Sequence, residues 1–144
     1  MTYLDPKIWG PHYWFFIHTV AMTYPIRPNT ITKKKYYEFI QNLPLFIPTE
    51  NMSGEFSKLI DKYPVTPYLD SRESFIKWMH FIHNKYNLLE GKNEISLYEA
   101  TDKYYQNYKP KNLLMRENLK KKEKLFFFVI IVALISIIYF LYKK

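Results

Sequence analysis

Two sets of side chains in this sequence stand at spacings that let them act together. His83, Asn84 and Asn87 fall within the run His83-Asn84-Lys85-Tyr86-Asn87. On a helix, residues three and four apart share a face, so one imidazole and two amides can converge on a ligand. Gly10, Trp14 and His18 recur at steps of four, along one stripe of another helix. A glycine in such a stripe lets a flat group approach the backbone, and an indole offers it a stacking face. The chemistry on offer is recognition of a flat, polar molecule. Hydrolysis is not indicated, because no Ser or Thr stands against a His and an acid. No metal is expected either: His80 and His83 lie three apart, but no further ligand cluster joins them. Each set also has a plain reading, as a core helix with a satisfied histidine, exposed amides or a buried tryptophan.

The element that must position the first set is Ser71–Lys92. Phe75, Trp78, Met79, Ile82, Tyr86 and Leu89 recur at three- and four-residue steps, the period of one buried helix face. Asp70 and Glu73 form a capping pattern at its start, and Gly91 ends it. The second set sits near the head of the chain. Asp5-Pro6 opens a turn of helix, and Gly10-Pro11 starts a stronger one that stops at Pro25. Between them, Lys33–Leu43 reads as a second helix with Thr32 as its N-cap. Pro44 and Pro48 break it, and a third helix runs from Thr49–Ser53 to about Lys62. Ser96 and Glu99 make a capping box for a short fifth helix through Asn107. There are no repeats and no strand-like alternation. The expected fold is all-α: a four-helix up-and-down bundle, a short fifth helix, and a C-terminal transmembrane helix.

Length and composition agree. A chain of 144 residues has room for one domain and little else. It holds 14 Tyr, 11 Phe and 3 Trp against 3 Gly, which suits a small helical core filled with aromatics. The net charge of +8 points to anionic surroundings. The lysines cluster at Lys33–Lys35, Lys120–Lys124 and Lys143–Lys144, and two clusters flank an apolar run, so lipid is expected and nucleic acid is not. That run, Leu125–Tyr142, is uncharged and approaches the thickness of the hydrocarbon core. Residues 1–108 form the expected helical domain, 109–124 a charged connector, and 125–142 the span. No signal peptide is read at the polar Met1–Lys7. A span at the end of a chain is inserted after translation. The expected placement is therefore tail-anchored and single-pass, with the N-terminal domain cytosolic; the basic run before the span agrees.

Several segments together resemble the Erv/ALR family of FAD-linked sulfhydryl oxidases. Trp9-Gly10-Pro11-His12-Tyr13-Trp14-Phe15-Phe16-Ile17-His18-Thr19 is similar to the family's first helix, and Tyr24-Pro25 closes it. Phe56–Val65 resembles the segment after the redox motif. Trp78, His83, Asn84, Asn87 and Lys92 match the family's HNxxN signature in spacing, with Tyr86 where Val is usual. The likeness covers roughly Asp5–Tyr105 and is greatest to the short versions of large DNA viruses. It implies FAD held by Gly10, Trp14 and His18 on one helix and by His83, Asn84, Tyr86, Asn87 and Lys92 on the other. It also implies protein thiols as substrates, allows a homodimer, and suggests a virus-associated protein.

One departure decides the chemistry. Family members carry Cys-x-x-Cys after a Pro at the start of the third helix; here Pro48 is followed by Thr49 and Met52 at the two cysteine positions. A hydroxyl is not redox-active and a thioether cannot form a disulfide, whereas the reaction needs a thiolate. The chain has no cysteine anywhere, and His80 stands where a structural one commonly sits. Three readings follow: a naturally degenerate member that keeps the fold and FAD, a chain whose cysteines were replaced by design, or a likeness of fold alone. The expectation is a membrane-anchored FAD-binding relative of the thiol oxidases with no intact catalytic residue. The alternative is a catalytically inactive tail-anchored scaffold, a pseudoenzyme that binds a partner.

Overall fold

The structure is a computed structural model and describes residues 4–143. Met1–Tyr3, at the head of the expected helical domain, and Lys144, in the last basic cluster, lie outside them. The described chain is helical, with α1 Pro6–Met22, α2 Thr30–Asn42, α3 Glu50–Lys62, α4 Arg72–Leu89, α5 Leu97–Gln106 and α6 Lys111–Tyr142. Two compact units divide it, Met1–Tyr104 and Tyr105–Lys144.

In the first unit α4 is the central helix, packing on both α1 and α3. Its apolar stripe is used as far as Tyr86: Phe75, Trp78, Met79, Ile82 and Tyr86 are all buried, whereas Leu89, read as part of the same face, is exposed in the last turn where the helix runs past its neighbours. Burying each of the three aromatic rings contributes about 2–3 kcal/mol, and Trp78 keeps its Nε1–H satisfied by donating to Tyr63 O at 3.0 Å. Opposite it stand Ile17, Ala21 and Tyr24 from the α1 side, Ile40 and Leu43 from the α2 side, and Phe56, Leu59 and Ile60 from α3. Tyr24 reaches across the core to donate to Leu69 O at 2.8 Å. The four-helix core with a fifth short helix is thus the all-α arrangement read from periodicity.

The differences lie at helix ends. α1 is one helix from Pro6 rather than a turn followed by a new start at Gly10-Pro11. Pro11 is accommodated because it and Lys7, whose carbonyl loses its partner, both face solvent. α2 begins three residues earlier than expected: Asn29 is its cap and accepts from Thr32 N at 2.8 Å. An amide outranks a threonine there. The cap of α4 is Ser71, whose Oγ accepts from Ser74 N at 3.1 Å; Asp70 instead pairs with Lys33 at 2.6 Å. At the other end Gly91 adopts φ +70°, the left-handed turn that closes a helix.

The second unit is dominated by α6. The charged residues 111–124 and the apolar residues 125–142 form one unbroken helix. The apolar part is long and hydrophobic enough to cross a membrane and is exposed along its length. The 32 residues of α6 extend about 48 Å.

Candidate functional site

The two stripes singled out in the sequence meet. Trp14 of α1 lies flat on His83 of α4, with ring centroids 3.9 Å apart and planes 8° from parallel. One turn further along α1, His18 Nε2 lies 2.8 Å from His83 Nδ1, so one imidazole N–H donates to the other ring. Tyr86 presents its edge to Trp14 at 5.6 Å, and Phe56 of α3 lies tilted against Trp14 at 6.2 Å. Stacking of this kind adds about 0.5–1.5 kcal/mol per pair beyond burial. The result is an aromatic wall built from three helices.

Gly10 lies one turn before Trp14 on the same stripe. A side-chain carbon at that position would meet no heavy atom within 4 Å. There is open room beside the backbone just where α1 presents its indole.

The two amides of the signature are used differently. Asn84 Nδ2 donates to Ile95 O at 2.9 Å, and Asn84 Oδ1 accepts from Ile95 N at 3.2 Å. Both main-chain groups of Ile95 are thus tied to one side chain, and Nδ2 also lies 3.2 Å from His80 Nε2. Asn84 fastens the segment after Gly91 to α4. The Asn87 amide, by contrast, has no protein partner among the described residues and is half-buried. The main-chain carbonyl of Asn87 accepts from Lys92 N at 2.8 Å, which sets where Lys92 leaves the turn. The Lys92 ammonium pairs with Glu90 in solvent, yet it stands near enough to His83 to help disfavour a charge there.

Clamping by Asn84 has a measurable consequence. Asn84→Ala removes two main-chain hydrogen bonds from a partly buried loop, an expected loss of about 1–3 kcal/mol. Amide exchange at Ile95 should accelerate sharply, while protection at Phe75 and Met79 falls only in step with global stability. Equal acceleration at all three sites would show that Asn84 does not hold this loop.

The His18 and His83 imidazoles are held neutral. Burial, with His80 adding to it, lowers His18 to about 4. Burial, followed by His18, His80 and Lys92, lowers His83 to about 3. Burial lowers His80 as well. Tyr86 is raised by burial and by Glu90 and Glu55. A histidine whose folded pKa lies below its unfolded value of 6.5 binds fewer protons folded than unfolded. Stability is then complete above pH 6.5 and falls as pH drops through the window from 6.5 to about 3–4. The melting temperature should therefore be flat from pH 7 to 8 and decline steadily between pH 6 and 4. A His18→Phe variant should show a shallower decline in the same titration.

At the start of α3, Thr49 is the N-cap residue but makes no capping bond. Its Oγ1 is buried and has no hydrogen-bond partner among the described residues. Met52 packs against the core, and Ser53 donates to Pro44 O at 2.8 Å. A buried hydroxyl without a partner costs about 1–3 kcal/mol relative to an apolar replacement. This first turn is followed on the same helix by Glu55, which acts on Tyr86, and Phe56, which touches Trp14.

Phe56 of the wall and His80, which touches Asn84 behind it, are the residues that sequence reasoning did not assign to the site. Phe56 gave a core signal indistinguishable from Leu59 and Ile60. His80 gave one usable signal, its place one turn before Asn84.

The Erv1/Alr family model matches residues 11–109, a stretch that holds every wall residue. The chain belongs to the Erv1/Alr family. A protein of Acanthamoeba polyphaga mimivirus named "Probable FAD-linked sulfhydryl oxidase R368" is 34% identical over 109 residues, spanning 75% of this chain and 76% of its own length. The crystal structure of the yeast Erv1 core superposes with a TM-score of 0.63 at 25% identity, covering 76% of this chain and 87% of that one. The FAD-binding domain of Erv1 from Saccharomyces cerevisiae gives the same score and identity over 72% of this chain and 93% of its own. This Erv1/Alr chain differs from a dithiol oxidase in one respect that no geometry can offset: it contains no cysteine.

Proposed function

We propose that this Erv1/Alr chain binds FAD against the Trp14–His83 wall, is anchored in a membrane by α6, and does not oxidise thiols by itself. The observation that carries the reading is the stack of Trp14 on His83 with His18 bonded behind it, which joins motifs 65 positions apart. The residues fit a flat dinucleotide. The open space beside Gly10 admits a ring system close to α1. Neutral imidazoles and an indole give it a stacking surface without placing a buried charge against it. Asn87 has an unspent amide for a polar edge, and Lys92 supplies a mobile cation suited to a pyrophosphate. Asn84 serves the site indirectly, by fixing the turn from which Lys92 projects. Bound FAD would supply a two-electron acceptor that O2 can reoxidise.

What the chain cannot supply is the electron entry. Neither Thr49 nor Met52 can attack a disulfide or pass an electron pair onward. Protein thiols, pairing of two copies and a viral setting belong to the same family reading, and a scaffold role follows if FAD only stabilises the fold.

The test is the visible spectrum of the detergent-solubilised full chain after incubation with FAD and removal of free ligand. A flavin spectrum at about one FAD per chain, with oxygen uptake from dithiothreitol no faster than free flavin sustains, is the expected result. A colourless protein overturns the cofactor assignment. Rapid uptake overturns the inactivity.

A further inference from the structure

Among the described residues, Lys7, Lys62, Lys111 and Lys143 each lack a carboxylate partner singly, whereas the lysines before the apolar run lack one as a cluster of four. Lys33, Lys34, Lys35, Lys58, Lys77, Lys85, Lys92, Lys103 and Lys109 each lie within 4.0 Å of a carboxylate. Lys120, Lys121, Lys122 and Lys124 have no carboxylate partner among the described residues, although Glu123 sits between them. On a helix each residue turns about 100°. Lys120, Lys121 and Lys122 therefore point to three different sides, and Lys124 returns near Lys120 one turn on.

This arrangement is a collar and not a stripe. A helix lying flat on a bilayer needs charge on one side and apolar residues on the other. Here the four lysines spread over about 200° of the helix circumference, with Glu123 in the remaining sector, and residues 125–142 are uncharged on every side. Like charges at Lys120 and Lys124, four apart, disfavour the helix unless an external anion lies between them. The collar abuts the first apolar turn, so it stands at the depth of lipid headgroups when 125–142 crosses the hydrocarbon.

We propose that Lys120, Lys121, Lys122 and Lys124 bind the anionic headgroups of the leaflet they face, gathering acidic phospholipid around α6. This rests on the reading of α6 as a membrane span. The collar meets headgroup negative charge over a broad arc and not at one point, so no single lipid is selected by shape. The preference for acidic over zwitterionic lipid is on the order of three- to ten-fold and falls as salt screens it.

The experiment reconstitutes the full chain in phosphatidylcholine vesicles carrying a trace of spin-labelled phosphatidylserine or spin-labelled phosphatidylcholine. The readout is the fraction of label whose motion is restricted at the protein. The expected result is a larger restricted fraction for phosphatidylserine, reduced by added salt and brought to parity by the combined Lys120→Gln, Lys121→Gln, Lys122→Gln and Lys124→Gln variant. Glutamine is a good helix former at these exposed sites, so the variant keeps the helix. Equal restriction of both lipids in the parent chain, or a preference that survives the four substitutions, overturns the collar and leaves the span standing. No restricted lipid of either kind overturns the span, and the collar with it.

Discussion

Thr49→Cys combined with Met52→Cys is expected to turn the chain into a thiol oxidase, with oxygen uptake from a dithiol substrate rising about 100-fold or more over the parent. The size follows from making reduction of the proposed FAD intramolecular, which is worth far more than this in well-oriented systems. Three features favour success. The two positions are three apart at the start of α3, which places their Cα atoms about 5 Å apart, inside the disulfide range. The first turn of a helix stabilises a thiolate. The Thr49 hydroxyl is already buried without a partner, so a thiol there sacrifices no hydrogen bond. The cost falls on Met52, whose side chain packs on the core; its truncation should cost about 1–3 kcal/mol. In each turnover two substrate thiols become one disulfide, and their two electrons and two protons leave through the new pair and FAD to O2, giving hydrogen peroxide. Either single substitution should remain at the parent rate, because one thiol can form a mixed disulfide but cannot resolve it. A double variant that binds FAD and forms its own disulfide, yet consumes no oxygen, would show that more than two side chains separate this chain from an oxidase.

The parts of the molecule that depend on local periodicity were legible before any coordinates. The α4 stripe from Phe75 to Tyr86 and the glycine that ends it follow from spacing and from the left-handed turn at Gly91. Helix ends were less legible because neighbouring residues compete for one role. Asn29 and Thr32 could both cap α2, and Ser71 and Asp70 could both cap α4; the choice rests on where Lys33 finds a carboxylate, which is a tertiary matter. The continuity of α1 through Pro11 depends on which carbonyls face water, and a helical wheel does not report that. In the site, the spacing of Gly10, Trp14 and His18 and of His83 and Asn87 showed two faces, while their meeting came from resemblance alone. The fate of Asn84 was hidden for a simpler reason. Its partner is Ile95, eleven residues on and beyond the helix, so no period of three or four could reveal it. Phe56 was hidden by its own suitability for a core, since an aromatic ring beside a ligand and one beside a leucine have the same sequence signature.

His83→Ala is expected to weaken FAD binding by about 100-fold and to destabilise the protein by about 2–4 kcal/mol, because one ring serves both Trp14 and His18. Its removal takes away the face on which Trp14 lies at 3.9 Å. It strips His18 Nε2 of its partner in a region dry enough to hold that imidazole near pKa 4. It also leaves a void between α1 and α4. Stability loss alone could mimic loss of ligand, so a second variant separates the two. His83→Phe keeps a flat ring against Trp14 and fills the space, but cannot hydrogen-bond to His18. It should recover most of the melting temperature and only part of the affinity, since the aromatic wall survives and its polar edge does not. Calorimetric titration of FAD into both variants, beside denaturant unfolding without FAD, reads the two quantities independently. If His83→Ala binds FAD as the parent does while unfolding more easily, the wall is a core feature and the cofactor lies elsewhere. If both variants lose affinity in proportion to the chemistry removed, the stack of Trp14 on His83 is the floor of the site, and the absence of thiols at Thr49 and Met52 is what keeps a flavin protein from being an oxidase.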